Sequence, residues 1–163
     1  MMTAHGTLGL LIADTLFWYA DWAWGLPLIV LTVVFHAVGL LLISEKVEQL
    51  QKAVVARWGY PAVFVMVVGS SAMWAAALHG MEGAMWAGAY LFIGALPDYH
   101  NAVLYSLSAM TTYGHADLHL EKHWQLMGAL EALDGMLLFG LTTAFLFGII
   151  LKIHELKNRR SRG

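Results

Sequence analysis

The chain has 163 residues, of which 60% are hydrophobic and only 12% are charged, and its mean hydropathy is +0.65. Soluble domains carry about 25% charged residues, so this composition predicts an integral membrane protein, with no room for a second sizeable domain. The absence of cysteine excludes disulfides, thiolate metal sites and a cysteine nucleophile. The net charge of −2 gives no information about nucleic acid, and no basic patch interleaved with aromatic residues argues for a nucleic-acid partner, so none is expected.

Residues 1–24 are predicted to form an N-terminal interfacial segment. Aromatic residues cluster near its end, as they do at membrane surfaces, at Trp18, Tyr19, Trp22 and Trp24. Asp14 and Asp21 are seven residues apart, on roughly the same helix face, and together with the aromatic residues this favours an interfacial helix. A fourth membrane span is the alternative for this segment.

Residues 25–58 are predicted to hold the first transmembrane helix and a connecting helix. The run 26–44 contains no formal charge and matches the ~20 residues needed to span a bilayer. Pro27 is expected in its first turn, where proline is tolerated. Residues 45–58 are charged and mildly amphipathic, which indicates a short helix at the membrane surface.

Residues 59–151 are predicted to form a pore module. A second span begins at Pro61 and continues to about Leu96, where Pro97 and Asp98 break the helix. Asp98 is expected to cap a short helix that ends at Met110. A polar stretch follows, and a third span runs from about residue 124 to residue 151.

The basic residues predict the orientation. They lie almost entirely between the first two spans and in the tail 152–163: Lys46, Lys52, Arg57, Lys152, Lys157, Arg159, Arg160 and Arg162. By the positive-inside rule the connecting helix and the C-terminus are cytoplasmic, so the N-terminus and residues 97–123 lie outside. We therefore expect a multi-pass protein of the inner (plasma) membrane. Its tail either contacts anionic lipid or is solvated.

The polar stretch Thr111–Asp117 is the most informative part of the sequence. A short helix before it would point its negative C-terminal end toward the membrane centre, which favours a cation there. Extended backbone after such a helix can replace the hydration shell of a cation with carbonyl oxygens. One copy supplies only one wall of such a pore, so a closed ring of four copies is the expected assembly.

Residues 105–117, Tyr-Ser-Leu-Ser-Ala-Met-Thr-Thr-Tyr-Gly-His-Ala-Asp, resemble the pore helix and filter of the potassium-channel superfamily. The resemblance is closest to small bacterial ion channels with a two-helix pore module. It extends over residues 26–151 and includes the outer-helix stretch 79–86 and the inner-helix stretch 130–140. Together with the first span and the N-terminal interfacial helix, it implies an all-α homotetramer in which each copy has three transmembrane helices, a re-entrant pore helix and a filter loop.

The resemblance also implies roles for single residues. The filter would comprise Thr111, Thr112, Tyr113, Gly114, His115, Ala116 and Asp117, with carbonyls of 112–116 facing the ion. The family pattern is Thr-Thr-x-Gly-Tyr-Gly-Asp, so His115 replaces a tyrosine and Ala116 a glycine. An L-residue resists the backbone conformation of that glycine by about 1–2 kcal/mol, so the filter is expected to be wider, shorter or differently folded.

Gly135 would be the gating hinge of the inner helix, and Gly140 would be a second hinge glycine. Asp134, Phe139 and Thr143 are predicted to line the cavity, with bracing as the alternative for Asp134. Ser108, Glu131, His79 and Glu82 are predicted to brace the module. His36 is expected to be a packed, hydrogen-bonded histidine rather than a proton relay.

These features predict a tetrameric channel for a monovalent cation, K⁺ or Na⁺, with no cofactor and no dedicated metal site. The alternative is a non-conducting or proton- or metal-responsive relative that acts as a membrane sensor, because four copies of His115 near one axis suit a transition metal. A membrane metallo-enzyme is disfavoured, since no HExxH motif or nucleophile–base pair is present.

Overall fold

The first helix, α1, runs without a break from Ala4 to Trp58 in the computed structural model, which describes residues 4–114 and 118–160. The sequence predicted separate helices that meet near residues 24 and 44. The charged residues after Ser44 are good helix formers, so the helix continues where the apolar run ends. Pro27 therefore lies in the helix interior and not in a first turn. Because proline has no N–H, the Ala23 carbonyl loses its hydrogen bond within the helix.

The second helix, α2, comprises Tyr60–Phe92 and ends four residues earlier than predicted. The Gly94 N–H donates to the Leu91 carbonyl at 3.2 Å, and the Ala95 N–H donates to the Tyr90 carbonyl at 2.8 Å. This pair of bonds is a Schellman motif, and Gly94 supplies the left-handed residue it requires, with φ +71°. Glycine, rather than the later proline, terminates α2.

Two further helices complete the described structure. The predicted short helix is confirmed as α3, Tyr99–Met110, with Asp98 as its N-cap. A 3₁₀ turn at Lys122–Trp124 leads into α4, Gln125–Arg160. The described residues contain no β-strand.

Three helical stretches among the described residues are long and apolar enough to cross a membrane: Thr15–Val47, Tyr60–Phe92 and Lys122–Asn158. This confirms the prediction of three helices that are long and apolar enough to span a membrane.

The protein divides into two units, each with its own core. The first unit comprises Met1–Val33 and Glu82–Met136, and the second comprises Val34–Met81 and Leu137–Gly163. The first core is built from large side chains of α2 and α4, among them Trp86, Tyr90, Met127 and Leu130. The second is built from β-branched residues: Val47, Val63, Val67, Ile149 and Ile153.

Candidate functional site

Asp98 fixes the start of α3. Its backbone is extended, with φ −147° and ψ 158°, and its Oδ1 accepts a hydrogen bond from the Asn101 N–H at 2.9 Å. Its Oδ2 accepts a second bond from the Asn101 side-chain amide at 2.6 Å. The backbone bond from Asn101 holds the pKa of Asp98 below its ordinary value, because it stabilises the charged carboxylate.

The C-terminus of α3 ends in a left-handed turn at a β-branched residue. Thr112 has φ +55°, and its N–H donates to the Ala109 carbonyl at 2.9 Å. The Tyr113 N–H donates to the Ser108 carbonyl at 3.0 Å, which completes a Schellman motif. Such a φ angle is unusual for threonine and costs about 1–3 kcal/mol. Gly114, at φ +69°, is the second left-handed residue directly after the helix.

The helix α3 packs along the first three turns of α4, and both helices run in the same direction. A Cβ atom at Gly128 would lie 3.3 Å from the Tyr105 Cζ and closer still to its hydroxyl. A Cβ atom at Gly135 would lie 2.7 Å from both the carbonyl carbon and the Cα of Met110, and closer to its carbonyl oxygen. Carbon atoms ordinarily approach to about 3.5–4.0 Å, so only glycine fits against the end of α3.

Glu131 connects α4 to two other helices. It is fully buried, and its carboxylate accepts hydrogen bonds from the Tyr90 hydroxyl of α2, at 2.7 Å, and from the Ser106 hydroxyl of α3. Tyr105 packs edge-on against Tyr90, with ring centroids 5.4 Å apart. Burial, and secondly the charge of Glu131, raise the pKa of Tyr105 to about 12.

Asp134, one turn further along α4, makes an analogous connection to α1 and α2. Its Oδ2 accepts hydrogen bonds from the Thr32 hydroxyl at 2.6 Å and from the Trp86 indole N–H at 2.8 Å. Asp134 and Thr32 are both fully buried. Of the two roles that the sequence left open for Asp134, these contacts correspond to bracing. Lining of a cavity shared by several copies stays a prediction.

The predicted filter residues lie at the surface of the first unit. Thr111–Gly114 are exposed, and Tyr113 is 82% exposed. His115, Ala116 and Asp117 lie outside the described residues. Behind the turn is a cavity of about 210 Å³ between α3 and α4, lined in part by Ser108, Thr112 and Gly114. The Ser108 hydroxyl donates to the Leu104 carbonyl of its own helix at 2.7 Å.

A second polar cluster occupies the second unit. The Thr142 hydroxyl of α4 lies 2.9 Å from the His36 Nε2 of α1 and 3.1 Å from the His79 Nε2 of α2. The two imidazole rings are 5.0 Å apart, and His79 also stacks on Phe139 at 4.4 Å. His36 is fully buried and His79 is partly buried. The prediction that His36 is a packed, hydrogen-bonded histidine is confirmed.

The remaining predicted residues lie on α2 and α4. Glu82 is fully buried, one turn after His79. Thr143 is exposed, and its hydroxyl donates to the Phe139 carbonyl at 2.8 Å. Gly140 is exposed, with no atom within 4 Å of its Cβ position. The helix α4 is continuous through Gly135 and Gly140, and their role as hinges stays a prediction.

Sequence reasoning missed the partners of the buried carboxylates, namely Thr32, Trp86, Tyr90 and Ser106, and it missed Thr142. One signal was available: Trp86 and Tyr90 are four residues apart on α2, so they share a face, as Glu131 and Asp134 do on α4.

Comparison of the protein with protein-family models, with curated proteins and with solved structures found no match.

Proposed function

We propose that four copies of the protein form a cation channel that resembles potassium channels, with Thr111–Asp117 as its filter. The observation that carries this proposal is the fixed end of α3: its last residue contacts Gly135, and a strained left-handed turn follows at once. In this proposal α3 is a re-entrant pore helix.

The length and direction of α3 support that role. Its 12 residues correspond to about 18 Å, a little over half of a hydrocarbon core that is about 30 Å thick. It carries no Asp, Glu, Lys or Arg, so it can enter a membrane without burying a formal charge. Because α3 runs parallel to α4, the segment 111–121 has to return to the start of α4. The negative end of the α3 dipole then lies at mid-membrane, near the ion path.

The backbone after α3 supports a filter. Selectivity filters are built from backbone carbonyls, which requires peptide planes that deviate from regular structure. The left-handed residues at 112 and 114 provide such a departure, and strained non-glycine residues such as Thr112 cluster at functional sites. One copy leaves Thr111–Gly114 exposed, whereas a ring of four copies would enclose them around an axis.

The first test is the oligomeric state of the protein in mild detergent or lipid nanodiscs, measured by native mass spectrometry. We expect a tetramer. A monomer or a dimer would overturn the channel architecture.

The second test is ion flux through proteoliposomes, compared between K⁺, Na⁺, Ca²⁺ and H⁺. Gly114→Ala is the informative variant, because its Cβ meets nothing within 4 Å and only the left-handed backbone is penalised. We expect it to abolish K⁺ or Na⁺ flux in an intact tetramer. Gly94→Ala is the matched control for protein yield and assembly, because Gly94 is also exposed, has φ +71° and has no atom within 4 Å of its Cβ position. Flux that is unchanged in Gly114→Ala would contradict the proposed filter.

The identity of the filter is tested by the paired change His115→Tyr with Ala116→Gly, which restores the family pattern. We expect a higher ratio of K⁺ to Na⁺ flux. An unchanged ratio would show that these two positions do not set selectivity.

The proposed orientation, with a cytoplasmic C-terminus, is tested by cysteine labelling, since the protein has no native cysteine. In right-side-out membrane vesicles, an impermeant maleimide should label His100→Cys and should spare Ser161→Cys. The opposite pattern would reverse the topology.

A further inference from the structure

The histidine pair of the second unit is a set of potential metal ligands that the proposed channel does not use. His36 comes from α1, His79 from α2 and Thr142 from α4, so three helices direct polar atoms to one point. Ionisable side chains within candidate spans are costly and usually mark a functional site.

The two hydrogen bonds do not determine which imidazole ring donates to Thr142 and which accepts from it. The Thr142 hydroxyl has one proton, so it can donate to at most one of the two Nε2 atoms and must accept from at least one of them. At least one of the two histidines therefore carries its proton on Nε2. Both rings aim the same nitrogen at a shared point, which is the arrangement two imidazoles need to ligate one ion.

We propose that His36 and His79 bind one divalent transition-metal ion, of the Zn²⁺ or Cu²⁺ class. Imidazole nitrogens favour these ions, whereas Mg²⁺ and Ca²⁺ prefer oxygen ligands. A ring nitrogen of His36 lies within 4.8 Å of one of His79. With Zn–N bonds of about 2.0–2.1 Å, two nitrogens on one ion are at most about 4.2 Å apart. Small rotations of the rings are enough to close the site.

The two histidines differ in exposure. His36 is fully buried, whereas His79 is partly exposed and lies against Phe139. The Thr142 hydroxyl or water would fill the remaining ligand positions of the ion. The proposal does not depend on ion conduction, because it concerns the ligands of a single copy.

The test uses the full-length protein in lipid nanodiscs. Zn²⁺ affinity is measured by calorimetry, and the ligands of bound Cu²⁺ are identified by electron paramagnetic resonance, which reports the number of bound nitrogens. We expect one site per copy with two imidazole nitrogens. Loss of a residue that only hydrogen-bonds a metal ligand already weakens metal affinity about 10–100-fold. His36→Gln and His79→Gln each remove a ligand, so each should weaken Zn²⁺ affinity by at least that factor.

Two controls separate this site from other causes. His100 and His154 are exposed, so the double variant His100→Ala with His154→Ala should bind Zn²⁺ at this site as the wild type does. Thr142→Val removes the hydroxyl but keeps both rings, so it should retain the two-nitrogen signal. A histidine variant that no longer folds is detected by circular dichroism, and the other histidine variant then carries the test, because loss of either imidazole should reduce the signal from two nitrogens to one.

Four results would overturn the proposal: no Zn²⁺ binding by the wild type, an undiminished two-nitrogen signal in a folded His36→Gln or His79→Gln variant, loss of that signal in the surface double variant, or its loss in Thr142→Val. None of them bears on the channel, because flux is measured without added metal.

Discussion

Gly135→Ala tests the contact that fixes the end of α3. The added Cβ would lie 2.7 Å from two backbone carbons of Met110, about 1 Å inside the ordinary contact distance. Backbone atoms cannot rotate away from a clash, so one of the two helices must shift. Overpacking of this kind costs about 1–3 kcal/mol.

Gly140→Ala supplies the comparison that isolates this steric cost. Alanine is favoured over glycine inside any helix by about 1 kcal/mol, and this gain applies at both positions of α4. No atom lies within 4 Å of the Cβ position at Gly140, so that variant should be slightly more stable than the wild type. The difference between the two variants is then the overpacking cost alone. For a protein of 163 residues it corresponds to about 2–12 °C in Tm.

The assay is thermal unfolding in one detergent, followed by tryptophan fluorescence, for both single variants and for Gly135→Ala combined with Met110→Ala. Because the clash involves backbone atoms of Met110, shortening its side chain should not restore stability. Equal stability of Gly135→Ala and Gly140→Ala would refute the close contact. Rescue by Met110→Ala would show that the side chain is responsible.

Three further predictions concern single ionisable or hydrogen-bonded side chains. Asp98 has a folded pKa below its ordinary value of 3.8, so its stabilising effect is present above pH 3.8 and is lost as the pH falls through the folded pKa. Asp98→Asn should remove this acid dependence, which is measured by unfolding the protein at pH values between about 5 and 2. Tyr105 has a folded pKa of about 12 against an ordinary 10.0, so its own contribution to stability should be constant below pH 10 and fall between pH 10 and 12. The phenolate absorbance of the wild type minus that of Tyr105→Phe should titrate near 12, and a midpoint near 10 would contradict the burial of Tyr105. Tyr90→Phe leaves a buried oxygen of Glu131 without its donor and should cost about 1–3 kcal/mol. Tyr60→Phe, whose hydroxyl donates to an exposed backbone carbonyl, should cost less, about 0.5–1.5 kcal/mol, and a loss as large as that of Tyr90→Phe would contradict the special role of Glu131.

Hydropathy was sufficient to predict the three candidate spans, since each needs only about 20 apolar residues. Hydropathy could not predict where the helices end, because a helix forms its backbone hydrogen bonds internally, both in lipid and in water. The helix α1 therefore continues through Ser44, and α2 stops at a Gly94 motif that depends on local hydrogen bonds. Asp98 was predictable because capping is a local property of the sequence.

The buried carboxylates show what local patterns leave out. The sequence shows that Glu131 and Asp134 share a face of α4, but their donors lie 25 to 102 positions away in the sequence. Only the packing of the helices brings these donors together. A buried ion or hydrogen-bonded carboxylate is weak evidence for stability, since apolar residues of the same volume often do as well. Here the two carboxylates determine which helices pack together, because Glu131 connects α4 with α2 and α3, and Asp134 connects α4 with α1 and α2.

The contacts of Gly135 also change what a glycine in the inner helix is expected to do. A hinge needs free space around it, and Gly135 has none, because the backbone of Met110 fills the place of its side group. Any bend of α4 at Gly135 would push on the end of α3 and therefore on Thr112, the strained residue two positions later. Gly140 is open and can bend without that contact. In the proposed channel, movement at Gly135 is therefore mechanically linked to the filter, whereas movement at Gly140 is not.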